Sequence, residues 1–225
     1  MSDSFTVYVL LALSGGAMDA YSYLCRGKVF ANAQTGNMLL FGVNLAERSF
    51  SVALKYAIPV LAFILGVIIS DIVRYNAANK LIHWRQITIA FEAAMLFAVG
   101  LMPQSLNIAA NALTSLVCGI QVESFRSVKG NSIATTMCIG NLRSGTYNFD
   151  KFITTKNRKY LKKSIIYYSV ILFFIMGISR QRKNKILKKS MSFINFRKTF
   201  LKPLKKIENI VINTLKIKAL KITHF

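Results

Sequence analysis

The sequence predicts an all-α fold: a polytopic helical membrane protein built from two degenerate repeats, the second lacking a counterpart of the first repeat's last helix. Three observations carry this. The apolar residues, 53% of the chain, are gathered into blocks. The basic residues are crowded into its last third, and the chain aligns with itself across most of the rest.

The blocks come first. Residues 5–24, 56–73, 87–102, 105–122 and 164–179 run 16–20 residues with at most one charge each, close to the roughly 20 that cross a hydrocarbon core. Soluble buried helices would show polar faces at helical period, and these blocks show almost none. The first block follows Met1-Ser2-Asp3-Ser4 with no basic residue, so it reads as a retained span and not as a cleavable signal. Cys25, Cys118 and Cys138 are odd in number and lie in or beside apolar blocks, which argues against a disulfide framework. With His83 and His224 isolated, no spacing suggests a zinc site. No metal and no cofactor is expected.

The charge is uneven. Residues 1–150 carry a net +3 and residues 151–225 a net +19, with Glu208 the single acid of the latter. A basic segment often marks nucleic-acid binding. Next to membrane spans it marks instead a cytoplasmic flank attracted to anionic lipid headgroups, so the expected partner is the bilayer and not nucleic acid.

Residues 14–44 align with 118–148 at an offset of 104, pairing Gly15 with Gly119, Asp19 with Glu123, Gly36 with Gly140, Asn37 with Asn141 and Asn44 with Asn148. Residues 61–70 then resemble 172–179, with Gly66 opposite Gly177 at an offset of 111. Residues 1–103 thus form a first membrane repeat, 104–179 an incomplete second one, and 180–225 a basic tail. The tail holds fourteen Lys/Arg where the first repeat's last span would recur. Phe200, Leu201, Leu204, Ile207, Val211, Thr214 and Leu215 fall at helical spacing, as in a basic helix lying on a membrane surface. A shifted reading frame would give a similar Lys/Ile-rich pattern.

The run "SGGAMDAYSYL…FANAQTGNMLLFG", followed by "GIQ…FR…TTMCIGNLRSG", resembles the YoaK family of bacterial integral membrane proteins of uncharacterised function over residues 8–179. The resemblance implies a multi-pass protein of the bacterial inner (plasma) membrane. Where that family has Gln-Asn-Ala and Thr-Gly-Asn in its second half, this chain has Gln121-Val122-Glu123 and Ile139-Gly140-Asn141.

The polar residues inside the spans are the candidate site. An intramembrane carboxylate such as Asp19 costs at least about 2.5–3.5 kcal/mol, so it needs either a hydrated cavity or a partner such as Arg126 or a Tyr hydroxyl. Glu123 at the equivalent place would bring two acids together near a pseudo-symmetry axis, where one could hold a proton. A helix break at Thr35-Gly36-Asn37, repeated at Gly140-Asn141, would need Gln34 and its neighbouring amides to satisfy the freed backbone. The expected substrate-binding set is therefore Asp19, Gln34, Thr35, Gly36, Asn37, Gln121, Glu123, Gly140 and Asn141. The alternative is that these residues only glue helices together. Glu92 reads as a cavity or pairing residue, Gly15-Gly16 as a close helix approach, and Arg143 as pairing or snorkelling.

No nucleophile elbow, His-Glu-x-x-His or phosphate-binding glycine loop is present, so neither an enzyme nor an ATP-driven pump is expected. The leading function is a small-molecule or ion-coupled permease, with an unknown small molecule or proton as ligand. A non-transport membrane scaffold or a truncated inactive relative is the alternative. Topology is in tension: Arg74, Lys80 and Arg85 place their loop in the cytoplasm, whereas full crossings over 130–148 put Lys151–Lys163 outside. Full crossings with a cytoplasmic tail are the expectation.

Overall fold

Long apolar runs with no internal charge have one way to satisfy their backbone without water, which is to become helices. The computed structural model describes residues 5–76, 84–128 and 131–187, and these form α1 (Phe5–Cys25), α2 (Gln34–Ala46), α3 (Phe50–Asn76), α4 (Trp84–Leu101), α5 (Asn107–Ser124), α6 (Cys138–Thr155) and α7 (Arg158–Leu187). A 3-10 turn at Gln104–Leu106 links α4 to α5, and the sole extended structure among the described residues is a ladder pairing Ser127 with Ser132 and Val128 with Asn131. The fold is all-helical as expected. The amphipathic pattern expected from Phe200 onward lies outside the described residues. The last apolar block, expected to end at 179, instead continues as helix to Leu187.

Among the described residues, three helices are long and apolar enough to cross a membrane: Phe50–Asn76, Gln104–Ser124 with its 3-10 turn, and Arg158–Gln181; Ile87–Leu101 is shorter. On α3, Leu61, Ile64, Leu65, Ile68 and Ile72 form an exposed apolar stripe at helical spacing, as a lipid-facing surface requires. α1 is 21 residues long, about 31 Å, and is interrupted by Ser14, Gly15, Gly16 and Asp19. Its side chains from Val7 to Ser22 are buried or nearly so, because neighbours surround it.

The neighbours are set by four glycines. A β-carbon at Gly16 would collide with the Phe174 carbonyl oxygen and one at Gly177 with that of Leu13, so α1 and α7 cross backbone to backbone. Likewise Gly119 meets the Phe63 carbonyl and Gly66 that of Leu116, joining α3 to α5. Small residues permit this approach. The contacts form two matching pairs: Leu13 and Gly16 precede Leu116 and Gly119 by 103 residues, while Phe63 and Gly66 precede Phe174 and Gly177 by 111.

α1 runs parallel to α7, α3 runs parallel to α5, and α1 is antiparallel to α5, since Met18 Sδ lies 3.9 Å from Cys118 Sγ while the Tyr8 and Phe125 rings meet edge to face. Calling the C-terminal end of α1 the upper end, one core holds Ala17, Met18, Tyr21, Leu96, Val117 and Cys118, and a lower core holds Tyr8, Leu11, Phe125, Ile133, Tyr167 and Val170.

The connections matter most. Beyond Cys25 the chain turns at Gly27 and Lys28, whose φ values of 86° and 65° are left-handed, and comes back down beside α1. Asn32 thereby reaches the level of Gly15 and Asp19. α2 then returns upward to a tight turn at Arg48 and packs along α3. The second half does the same from the other end. Beyond Ser124 the ladder reverses the chain, Thr136 rises to Gly15, and α6 descends again to pair with α7.

Candidate functional site

Hydrogen bonds account for the polar residues between Asn32 and Asn37. Residues 26–33 are non-helical, and beyond the Arg26 N–H, which still donates to Ser22 O, their backbone groups lack helical partners. Asn37, fully buried, accepts from Phe30 N at 3.0 Å and donates to Phe30 O at 2.7 Å, closing on both backbone groups of one residue. Its amide also donates to Gln34 Oε1 at 2.9 Å, while Gln34 Nε2 donates to Ala31 O at 2.7 Å. Asn32 Nδ2 donates to Gly15 O at 2.8 Å, and Asn32 N donates to Asp19 Oδ1 at 2.7 Å, with the amides of Ala31 and Ala33 also directed at that carboxylate. A carboxylate inside the bundle is thus held by backbone N–H groups.

The second half shows a sparser version. Asn141 Nδ2 donates to Ala134 O at 2.6 Å, and Asn44 and Asn148 each donate to the carbonyl four residues back, Leu40 and Ser144. Gln121 Nε2 donates to Thr135 Oγ1 at 2.8 Å. The two non-helical stretches converge: a β-carbon at Gly15 would lie 2.9 Å from Thr136 Cγ2, and Asp19 is close enough to Cys138, the first residue of α6, to act on it electrostatically. The positive ends of the α2 and α6 dipoles therefore both point toward the level of Asp19, which helps offset the cost of its charge.

Several expectations change. The break precedes Thr35-Gly36-Asn37, which form the first turn of α2, because the amides satisfy backbone upstream of themselves. Thr35 is exposed, and Gly36 makes room for the Phe30 ring, whose nearest carbons are 2.8 Å from where its β-carbon would be. Asp19, Gln34 and Asn37 are brought together; Gln121 and Asn141 line the second stretch. Glu123 is elsewhere. It pairs with Arg74 at 3.3 Å and Arg126 at 3.1 Å at the lower end, about 9 Å along the axis from the level of Asp19 by the α1–α5 register. The helix contacts are offset by 103 and not 104, which makes Val122, not Glu123, the repeat equivalent of Asp19.

Sequence reasoning passed over Arg26. It is 2% exposed, and its guanidinium donates to Val99 O, Met102 O, Pro103 O, Asn107 Oδ1 and Tyr21 OH at 2.7–3.1 Å. A cation seated on the carbonyl end of α4 is favoured by the helix dipole, but nothing in the local sequence marks it. Glu92 is 1% exposed on α4, and neither of its carboxylate oxygens has a hydrogen-bond partner. A cavity of about 450 Å³ lies beside the second stretch, lined by Gly140, Asn141, Arg143, Ser144, Tyr147 and Tyr167 among others. Gly140 faces open space there.

A family model described as a protein of unknown function (DUF1275) matches residues 7–179. The UPF0700 transmembrane protein YoaK of Bacillus subtilis (strain 168) is 26% identical over 184 residues, covering 76% of this chain and 80% of that protein. No solved structure matches.

Proposed function

Because this chain belongs to the DUF1275 family, is a membrane protein and resembles a transmembrane relative, we propose that it is a multi-pass permease of the bacterial inner membrane for a small molecule, with ion coupling. Residues 26–46 and 125–155 act as two re-entrant hairpins entering from opposite faces. The observation that carries the reading is their convergence on α1 at Gly15–Asp19, with two half-helix N-termini aimed at one level. Irregular backbone at that depth is tolerated where it is buried in protein or lines a cavity, and repeat-built transporters hold ligands there.

The matching glycine contacts and the matching Asn37 and Asn141 bonds support two repeats that exchange their first helices. The moving units are then α1, α6 and α7 against α2 to α5, and the hairpins cross between them. Re-entry replaces the full crossings expected from sequence. It puts Arg74, Arg85, Arg126, Lys151, Lys156 and Arg158 at the same lower end, which the positive-inside rule then assigns to the cytoplasm. It also gives up the cytoplasmic tail expected from sequence, because α7 carries Arg180, Arg182, Lys183 and Lys185 to the opposite end.

The scaffold reading is favoured by a different observation: Asn32, Gln34, Asn37 and Asp19 are largely engaged with their own backbone. One experiment separates the two. In a cysteine-free background, Thr136→Cys in a permease reacts with a membrane-impermeant thiol reagent from at least one side. Protection from both sides, in folded protein, favours the scaffold.

A further inference from the structure

We propose that Glu92 is a proton-binding site, exchanging protons with the lower face through the hydroxyls of Thr88, Ser124 and Ser70. The first support is the state of Glu92 itself. It is 1% exposed on α4, close enough to Cys118 of the upper core to act on it electrostatically, and both oxygens lack partners. An unpaired buried carboxylate is strongly disfavoured as an ion, and inside membranes such groups mark proton relays. Asp19 differs because backbone N–H groups satisfy it.

The second support is independent of Glu92. Ser124 Oγ lies 3.5 Å from Thr88 Oγ1 and 2.9 Å from Ser70 Oγ, and all three residues are at most 6% exposed. Thr88 is one turn below Glu92 on α4, at the i, i+4 spacing that brings two side chains within reach. At the other end, Ser70 is one turn from Arg74, and Ser124 adjoins Glu123, the pair that meets solvent with Arg126 and Asp71. Three hydroxyls thus lie between the buried acid and the surface carboxylate, and the transfers at the two ends, from the Glu123 side to Ser124 and from Thr88 to Glu92, each need a side-chain rotation or an inserted water, since neither Glu92 oxygen has a partner.

The step balances without a further reactant. A proton from bulk water is taken up at the Glu123 end, each hydroxyl accepts one proton on its oxygen and passes its own onward, and an O–H bond forms on Glu92. Return reverses the sequence. The titratable and charged groups around this path are Asp19 and Tyr21 of α1, Cys118 and Glu123 of α5, Asp71 and Arg74 of α3, Arg85 of α4 and Arg126. Asp19 and Glu92 both act electrostatically on Cys118, so a proton gained at Glu92 changes the field at a side chain that Asp19 also reaches. Proton binding stands without the permease reading; its use as the coupling ion rests on it.

The test uses the full chain in phosphatidylcholine liposomes, with protons as the only ligand. Infrared difference spectra between acid and alkaline buffer are expected to show a carboxylic C=O band that is lost in Glu92→Gln and kept in Asp19→Asn and Glu123→Gln. A band indifferent to Glu92→Gln overturns the proposal. So does a Glu92 band that is present at every pH, since the acid is then permanently neutral. Ser124→Ala keeps Glu92 and covers the case where Glu92→Gln does not fold. It is expected to slow proton uptake after a pH jump about ten-fold or more, with the amplitude unchanged; an unchanged rate sinks the relay. No transported substrate is involved, so failure here is separable from failure of the permease reading.

Discussion

Asn37 grips Phe30 by both backbone groups, accepting from its N–H at 3.0 Å and donating to its C=O at 2.7 Å, seven residues upstream. One side chain thereby does for an irregular segment what a neighbouring strand does in a sheet. Asn37→Ala leaves both groups unpaired in a buried place, along with Gln34 Oε1. The expected loss is about 2–4 kcal/mol, read as lower thermal stability in detergent. Asn141→Ala breaks one such bond and is expected to cost less than half as much. Equal losses would show that the two hairpins are held in the same way.

The glycine crossings make a prediction of opposite sign at different positions. Gly16→Ala and Gly119→Ala each push a methyl into a carbonyl of the facing helix, so the helices must separate at about 1–3 kcal/mol each. Gly42→Ala, in the interior of α2 with nothing within 4 Å, is expected to stabilise by up to about 1 kcal/mol, since glycine is a poor helix residue. Melting curves of the three variants check the order.

Arg26→Lys tests the seat on α4. Arginine presents five donors in a fixed fork, and the structure gives all of its nitrogens acceptors; lysine has three donors on a point charge. At least two acceptors are left unpaired, and a cost of about 3 kcal/mol or more is expected. Proteolysis near the Pro103 turn should rise with it, since Arg26 ties that turn to the end of α1. Unchanged stability and cleavage would mean the seat contributes nothing.

The helices were legible because each apolar block exceeds what a soluble element needs, and the pairing of Asn37 with Asn141 was legible because both keep the same local task. The re-entrant path was not. Residues 26–46 are apolar enough to be read as continuous, and the reversal is written in two left-handed residues, Gly27 and Lys28, which have no periodic signature. The partners of Asp19 and Glu123 were also beyond sequence. Asp19 uses backbone amides, which every residue has, and Glu123 uses Arg74, brought to it by the α3–α5 crossing, together with Arg126 three residues on. Arg26 looks in sequence like a flanking charge; only the return of α4 and its turn past it makes it an interior cap.

The re-entrant path has its own test, because it reverses the side on which one loop emerges. If residues 125–155 enter and return, the turn at Lys156 and Asn157 lies on the same face as the end of α3 at Arg74, and opposite to the Pro103–Gln104 turn between α4 and α5. Full crossings would instead place 157 with 104. The expected result, with native cysteines replaced, is that Asn157→Cys and Tyr75→Cys are protected in intact cells and react after permeabilisation, whereas Gln104→Cys reacts from outside. The lower-end salt bridge makes a matching demand. Glu123 holds Arg74 at 3.3 Å, so Glu123→Cys and Arg74→Cys are expected to cross-link readily through a short bifunctional thiol reagent, while Asp19→Cys with Glu123→Cys is not. Labelling of 157 from outside would restore full crossings and remove the second hairpin from the midplane.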